Sequence, residues 1–179
     1  MGRTLFLTGR PGVGKTTVIK KVAQALGDRA GGFYTEEIRG SSGRRQGFRL
    51  VTLDGDEAVM AHTDLRGEGR PRVSRYGVDV EAIEDVGVAA IQRAMASDKV
   101  IIVDEIGRME LFCEAFKETV SEAVGSENPV LATIMRGSRP WVDELKARGQ
   151  VEVWEVTVEN RGELPERVGR WLTVDAKAE

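Results

Sequence analysis

Gly9-Arg10-Pro11-Gly12-Val13-Gly14-Lys15-Thr16 is the stretch that decides the fold, because it matches the pattern G-x-x-x-x-G-K-[ST] at every position. The apolar run Thr4-Leu5-Phe6-Leu7 before it is strand-like, and the segment after it has the spacing of an amphipathic helix. A strand that turns directly into a helix leaves several backbone N–H groups pointing at one place, where they can bind an anion. The stretch therefore predicts a phosphate-binding loop.

The residues that close the pattern predict which ligand the loop binds. Lys15 carries a charge suited to the β- and γ-phosphates of a nucleotide, and the Thr16 hydroxyl can take a position on Mg²⁺. We therefore expect a nucleoside triphosphate such as ATP or GTP to contact the residues from Gly9 to Thr17, with Mg²⁺ as cofactor. The following helix should end at Gly27 and has its apolar face at Val18, Ile19, Val22, Ala23 and Leu26.

A second motif has the form of a Walker B strand, with four apolar residues before two carboxylates: Val100-Ile101-Ile102-Val103-Asp104-Glu105. A buried strand of this kind delivers Asp104 to its carboxyl end, where a doubly wound sheet binds its ligands. We expect Asp104 to hold Mg²⁺ through a coordinated water and Glu105 to orient a water for attack on the γ-phosphate. The alternatives are that Asp104 caps the next segment and that Glu105 pairs with an arginine or is solvated.

Two further roles have several candidates. Glu110 is the second candidate for the general base, although its place before an apolar helical pattern favours a role at that helix start. An arginine could stabilise the transition state, and each candidate taken alone is better explained as a surface residue: Arg72, Arg75, Arg108 and Arg136. Without such an arginine, intrinsic turnover should be slow.

Strand and helix patterns alternate along most of the chain. Strand-like runs occur at Leu5 to Thr8, Val100 to Asp104, Val130 to Met135 and Val151 to Val156. Helical spacing recurs from Val80 to Ala94 behind an N-cap at Asp79, from Leu111 to Ala123, and in short pieces around Trp141 with Leu145 and Leu164 with Trp171. The alternation predicts an α/β fold of the P-loop NTPase type, with a doubly wound, mostly parallel sheet and helices on both faces.

One region departs from the alternation. Gly32 to Arg39 and Gly47 to Leu53 read as strands joined by a polar turn, with Glu57 to Ala61 as a third, and predict an antiparallel hairpin inserted at about 32–62. An arginine- and glycine-rich loop follows at about 62–78, beside the site or as a solvated linker. We expect one domain over residues 1–172 and a frayed tail over residues 173–179.

Composition excludes several classes of function. The chain has 179 residues, a net charge of −3 and a pI near 5.5, so we expect no bulk nucleic-acid binding. The single cysteine, Cys113, fits a reducing compartment, and no apolar run has the length of a membrane span. We expect a cytoplasmic monomer that does not engage a membrane.

With both motifs placed, the chain resembles the cancer-related nucleoside-triphosphatase family, whose members are small P-loop phosphohydrolases. The most specific stretch is Val103-Asp104-Glu105-Ile106-Gly107-Arg108-Met109-Glu110-Leu111, and further likeness lies in Gly32 to Arg39, Gly47-Phe48, Pro71 to Asp79 and Val156 to Arg161. Ser74 stands where the family has glycine, and Phe112-Cys113 precede a helix that a serine often leads. Neither change touches the phosphate chemistry.

The resemblance implies Mg²⁺-dependent hydrolysis of several nucleoside triphosphates to diphosphate and phosphate, with weak base selectivity and slow turnover. It also implies that Gly9 to Thr16 and Val100 to Gly107 both line the nucleotide site. Asn160-Arg161 either approaches the base or ribose or caps the final helix. Two other functions stay open from the residues alone: a nucleotide-dependent kinase that acts on a small molecule, a nucleotide or a nucleic-acid end, and a nucleotide-switched binding module.

Overall fold

The strand that precedes the phosphate loop, β1 (Thr4–Thr8), lies inside a nine-stranded sheet in the computed structural model, which describes residues 2–173. It pairs in parallel with β8 (Val130–Ile134) on one side and β9 (Val151–Glu155) on the other. Successive side chains of a strand face opposite sides of the sheet, and here Leu5 and Leu7 join one core cluster while Phe6 joins the other. The strand is therefore buried on both faces.

The parallel part of the sheet brings the two motifs to one edge. Its strand order is β2, β7, β8, β1 and β9, in which β7 (Val100–Ile106) lies between β8 and the first half of β2 (Ala30–Arg39). Because β1 and β7 both run parallel to β8, the loop after β1 and the carboxylates of β7 meet at the same end of the sheet. The expected α/β fold with a mostly parallel sheet is confirmed.

The predicted hairpin is also present, and it is continuous with the parallel part. Beyond Phe33, β2 pairs antiparallel with β3 (Arg45–Thr52), which pairs with the expected third strand, β4 (Glu57–His62). Two short strands, β5 (Arg72–Val73) and β6 (Tyr76–Val78), complete that edge. The expectation of a loop over 62–78 is wrong for these two strands, because Tyr76 and Val78 are buried in the core and anchor the segment.

Helices cover both faces of the sheet, as predicted. On one face α1 (Lys15–Leu26) packs beside α6 (Leu164–Thr173), and both contribute to the core cluster that contains Leu5 and Leu7. The other face carries α3 (Ala89–Ala96), α4 (Glu114–Gly125) and α5 (Pro140–Lys146), which belong to the cluster of Phe6. No helix within residues 2–173 is long and apolar enough to cross a membrane.

Two helical segments differ in detail from the sequence patterns, while α1 ends before Gly27 as predicted. The segment behind Asp79, whose carboxylate accepts the Ala82 N–H at 3.1 Å, begins as α2 (Val80–Ala82) and continues through a π-helical stretch, Ile83–Val88, into α3. The helix expected from Leu111 begins instead at Glu114, after a short 3₁₀ turn, Glu110–Phe112, in which Phe112 is 46% exposed. Another 3₁₀ turn, Gly27–Arg29, follows α1.

The helix α6 includes Thr173, the first residue of the stretch that we expected to be a tail and the last described residue. The rest of the expected tail, residues 174–179, lies outside the described residues.

Candidate active site

The loop between β1 and α1 has the backbone geometry of a phosphate-binding loop. Gly14 is the N-cap of α1 with φ of 114°, a left-handed conformation that residues with a Cβ rarely adopt. A Cβ on Gly9 would lie 2.7 Å from the carbonyl oxygen of Val156, so glycine allows the loop to pass close to the end of β9. Within residues 2–173, the first turn of α1 holds no acidic residue and no side chain caps it. The first N–H groups of a helix have no acceptor within the helix, so those of α1 can bind an anion.

Lys15 and Thr16 open α1 and have different partners. Lys15 Nζ donates to the carbonyl oxygens of Gly9 at 3.0 Å and Arg10 at 3.2 Å, so the ammonium group lies within the loop. Thr16 Oγ1 donates to Asp104 Oδ2 at 2.8 Å. Of the other predicted contact residues, Val13 is half-buried, while the exposed ones are Arg10, Pro11, Gly12 and Thr17.

Asp104 is the point where the two motifs meet. It lies near the end of β7, which is separated from β1 by β8 and hence by roughly 10 Å across the sheet. The bond from Thr16 closes that gap. Asp104 is 1% exposed, and burial raises the pKa of its carboxyl group, an effect that the hydrogen bonds from Thr133 and Thr16 oppose.

Two threonines that the sequence analysis missed also bind this carboxylate. Thr133, near the end of β8, donates its hydroxyl to Asp104 Oδ1 at 2.6 Å and is fully buried. Thr35, on β2, lies with its N–H 3.4 Å and its Oγ1 3.5 Å from Asp104 Oδ2. Thr133 belongs to no sequence motif. Thr35 lies within the Gly32 to Arg39 stretch that supported the family resemblance, so the sequence contained a signal for Thr35 only.

Glu105 and Glu110 form a carboxyl pair beside Asp104. Glu105 is half-buried, whereas Glu110 is only 3% exposed and accepts the Gly107 N–H at 3.2 Å through Oε2. A Cβ on Gly107 would collide with Glu105 Oε1 and lie 3.0 Å from Glu110 Oε2, so the two carboxyl groups flank this glycine. The Asp104–Glu105 peptide bond is cis.

The pKa values of this pair are shifted in the same direction to different extents. Burial and then the nearby Asp104 charge raise the pKa of Glu105, while the Lys15 charge acts in the opposite sense. Burial, followed by the Glu105 charge, raises the pKa of Glu110 well above its ordinary value. Of the two, Glu110 is thus the more strongly held in its protonated form.

Three of the four candidate arginines bond to groups outside the loop, and the fourth, Arg108, is exposed. Arg72 donates to the Arg75 carbonyl oxygen at 2.9 Å, and Arg75 donates to the Arg45 carbonyl oxygen at 2.6 Å, both at the β5–β6 edge. Arg136 pairs with Glu155 at 3.7 Å, and Arg108 is exposed beside the 3₁₀ turn. Within residues 2–173, none of them bonds to the loop or to Asp104.

Asn160 and Arg161, in the turn after β9, have separate roles. The Asn160 side chain accepts the Thr157 N–H at 2.8 Å and donates to the Glu155 carbonyl oxygen at 2.8 Å, which fixes the turn itself. Arg161 reaches the phosphate loop, where its Nη1 donates to the Val13 carbonyl oxygen at 3.2 Å.

The donor set at Asp104 suits Mg²⁺. A carboxylate and a hydroxyl, 2.8 Å apart, are hard oxygen ligands, and the buried carboxylate has only hydroxyl and amide donors around it. No group of three or more histidine, cysteine, aspartate or glutamate side chains within residues 2–173 forms a metal site. Thr16 and Asp104 are the residues that would hold Mg²⁺.

This arrangement defines the class of P-loop NTPases: a phosphate loop at the start of α1 is joined through Thr16 to Asp104, a buried aspartate near the end of the parallel strand β7. Similarity to known proteins identifies the family within this class. An NTPase family model matches residues 4–169, and the chain therefore belongs to this NTPase family, which includes the THEP1 nucleoside-triphosphatases. It is a nucleoside-triphosphatase.

The relatives match over almost their whole length. The nucleoside-triphosphatase THEP1 of Thermotoga sp. strain RQ2 is 46% identical over 160 residues, which cover 89% of this chain and 90% of the relative. That of Methanocaldococcus jannaschii is 42% identical over 168 residues, covering 92% and 94%.

Two solved structures share the fold. The crystal structure of THEP1 from Aquifex aeolicus superimposes with a TM-score of 0.86 at 36% identity, covering 94% of this chain and 98% of that one. The solution structure of a human cancer-related nucleoside triphosphatase gives a TM-score of 0.81 at 37% identity, covering 97% and 99%. The family resemblance expected from the motifs is confirmed.

Proposed function

We propose that the protein cleaves the γ-phosphate of ATP, GTP and other nucleoside triphosphates to give the diphosphate and phosphate, in an Mg²⁺-dependent reaction. The observation that carries this proposal is the 2.8 Å bond from Thr16 Oγ1 to Asp104 Oδ2, which joins the phosphate loop to the carboxylates. Glu105 follows Asp104 directly, so a water placed between Glu105 and the loop is in reach of the γ-phosphate.

The loop binds the triphosphate through backbone N–H groups and Lys15. In the absence of an anion the Lys15 ammonium group donates to two carbonyl oxygens of its own loop, which keeps it at the site. A bound γ-phosphate competes for that ammonium group with a full negative charge, which is a stronger acceptor than a carbonyl. Lys15 then neutralises charge that develops on the transferred phosphoryl group.

Thr16 and Asp104 would hold Mg²⁺ in this proposal. When bound, the ion would supply positive charge that stabilises the negative charge of the phosphates. Thr133 and Thr35 keep the Asp104 carboxylate oriented, since their hydroxyl or amide groups donate to its two oxygens. The Thr16 hydroxyl donates its proton to Asp104, which leaves the lone pairs of its oxygen available as a ligand.

Glu105 acts as the general base that accepts a proton from the attacking water. Two features support it over Glu110: it is partly accessible to solvent, and its pKa is raised by burial and by Asp104, which strengthens it as a base. Glu110 is buried, where an attacking water has little access, and its Oε2 already accepts the Gly107 N–H. Burial and the Glu105 charge raise the pKa of Glu110 well above its ordinary value, which favours its protonated form.

Slow turnover and weak base selectivity complete the proposal. Within residues 2–173, none of the four candidate arginines bonds to the loop or to Asp104, so none of them supplies positive charge to the transition state in this conformation. The sequence contains no Asn-Lys-x-Asp guanine-reading motif. We place the enzyme in the cytoplasm, which the buried free thiol of Cys113 supports.

Phosphate release from a panel of nucleoside triphosphates and diphosphates tests the proposal. With Mg²⁺ and no acceptor, we expect release from ATP, GTP, CTP and UTP at rates within about tenfold of each other, and none from diphosphates. Adding EDTA should abolish it. Formation of the diphosphate only when a phosphoryl acceptor is present, with the phosphate found on that acceptor and none released, would overturn hydrolysis in favour of the kinase alternative.

A further inference from the structure

A cavity of about 280 Å³ lies beside the amino-terminal end of α1, on a different face of the helix from Thr16. It is lined by residues of α1 and of the turn after β9: Gly14, Thr17, Val18, Lys21, Arg161 and Gly162. Its volume is at the small end of ligand sites, which span roughly 300–1,000 Å³. A larger cavity of about 410 Å³ lies toward the other end of α1, around Gly27 and Asp28, away from the loop.

Arg161 is held against this cavity by the turn that carries it. Its own N–H donates to the Thr157 carbonyl oxygen at 3.0 Å, and the Asn160 side chain fixes the same turn. The Arg161 Cδ would lie 3.5 Å from a Cβ on Gly14, and Nη1 donates to the Val13 carbonyl oxygen. In the described part of the chain this is the single bond of its guanidinium group, which leaves four N–H donors and an exposed planar face.

The position of the cavity relative to the proposed phosphate site indicates what could fill it. In the proposed function, the γ-phosphate would lie toward Lys15, Asp104 and Glu105, whereas the N–H groups of the loop and of the first helical turn would bind the inner phosphates. The chain of phosphates would then leave α1 on the side away from Asp104. On that side the exposed Thr17 and the Arg161 guanidinium border the cavity.

We propose that this cavity is the nucleoside subsite and that Arg161 stacks its guanidinium plane on the base. The inference rests on the proposed function, because it takes the loop to bind a nucleoside triphosphate. A guanidinium plane stacks on any aromatic face without reading the edge of the ring. Asn160, whose amide could read an edge, is bonded within its own turn. Stacking by Arg161 thus gives affinity for the base without selecting one base.

Binding measured by calorimetry with and without a nucleoside tests the inference. We compare the Kd values of MgATP, MgGTP and Mg-tripolyphosphate for the wild type and for Arg161→Ala. We expect the Kd of both nucleotides to rise about tenfold, with the Kd of tripolyphosphate changed less than twofold. Retained tripolyphosphate binding also shows that the loop is still folded.

Two matched variants sharpen the test. Arg161→Lys keeps the positive charge but lacks the planar guanidinium group. It should therefore weaken nucleotide binding nearly as much as Arg161→Ala does. Arg170→Ala removes the same charge from the surface of α6, where Arg170 pairs with Glu166, and should leave all three Kd values unchanged.

Four results would overturn the subsite. For Arg161→Ala they are an unchanged Kd of both nucleotides, an equal rise in the Kd of tripolyphosphate, and a rise in Kd for only one of the two nucleotides. For Arg161→Lys the result is a nucleotide Kd equal to that of the wild type. Equal loss for tripolyphosphate would mean that Arg161 only supports the loop through Val13. Because the readout is binding, a protein that binds MgATP through Arg161 but releases no phosphate would refute the proposed hydrolysis and leave the subsite standing.

Discussion

The phosphate loop and the carboxyl end of β7 are the two halves of one site, and they are built in opposite ways. The loop is open, its residues from Arg10 to Gly12 are exposed, and its ligand-binding groups are mainly backbone N–H groups set by glycine geometry. The carboxylate half is closed: Asp104 is 1% exposed and Glu110 3%. Hydroxyl groups from α1, β2 and β8 converge on Asp104.

If the proposed function holds, this difference means that the two halves control different steps. The open loop of N–H donors and one ammonium group would determine how tightly phosphate binds. The buried carboxylates, whose protonation depends on burial and on each other, would determine whether a metal and a water are held for reaction. Substitutions in the loop half should therefore change binding and turnover together, and those in the carboxylate half should separate the two.

The largest effect is expected in the loop half, from Lys15→Ala. We expect kcat/KM for MgATP to fall about 10⁴-fold, because removing one donor to the transition state costs roughly 10²–10³ and ground-state binding is lost as well. Phosphate release measures the loss of turnover, and calorimetry measures the loss of MgATP binding. Lys117→Ala, the same change on α4 at a surface pair with Glu114, is the control. A Lys15→Ala variant that binds and turns over like the wild type would show that the loop is not the phosphate site.

In the carboxylate half, Glu105→Gln should separate binding from turnover. We expect kcat to fall about 10³-fold, within the range for loss of a general base, while the Kd of MgATP changes less than about threefold. Glu110→Gln is the matched control, because it makes the same change at the neighbouring carboxyl and its amide oxygen can still accept the Gly107 N–H. The opposite outcome, with Glu110→Gln inactive and Glu105→Gln active, would identify Glu110 as the base.

The loop half was predictable from the sequence because its chemistry is local. The eight residues from Gly9 to Thr16 contain both the geometry and the charge, and the adjoining strand and helix were visible in hydrophobic spacing. The parallel sheet and hairpin followed from the same spacing. Short strands β5 and β6 did not, since two or three residues are too few to show a period.

The carboxylate half was predictable only in part because its neighbours come from distant strands. Asp104 and Glu105 stand out after four apolar residues, but Thr133 is a β-branched residue inside a buried strand, indistinguishable in sequence from packing. The roles of Asn160 and Arg161 likewise became separable only once the turn was seen to use the Asn160 amide. Hydrogen bonds between elements far apart in the chain leave no periodic signal.

Thr133, which the sequence did not reveal as a site residue, should affect the Mg²⁺ requirement. Thr133→Val keeps the shape of the side chain but removes the hydroxyl that donates to Asp104 Oδ1 at 2.6 Å. We expect the Mg²⁺ concentration for half-maximal activity to rise about tenfold, because partners that orient metal ligands typically contribute 10–100-fold to metal affinity. At saturating Mg²⁺ kcat should recover to within about threefold. Phosphate release as a function of Mg²⁺ concentration measures both.

The control for this prediction is the same substitution one strand away. Thr4, on β1, is fully buried, and its hydroxyl has no partner within residues 2–173. Thr4→Val should leave the Mg²⁺ requirement unchanged, because it removes no bond to Asp104. If Thr133→Val also left it unchanged, Thr133 would contribute packing alone.

Glu110→Gln should have the smallest effect on activity. Its free energy of unfolding is the sharpest test of burial in the carboxylate half. The folded protein raises the pKa of Glu110 well above 4.5, mainly through burial, so between 4.5 and the raised value the folded state holds a proton that the unfolded state has released. The free energy of unfolding therefore decreases as pH rises through that window, by up to about 1.4 kcal/mol per pH unit for this group. Glutamine does not titrate, so the free energy of unfolding of Glu110→Gln should not decrease in this way. Relative to the wild type, the variant should therefore become more stable as the pH rises above 4.5.

Urea unfolding of both proteins without Mg²⁺ at a series of pH values measures this difference. Parallel plots of the free energy of unfolding against pH would mean that Glu110 ionises in the folded protein as it does in the unfolded chain.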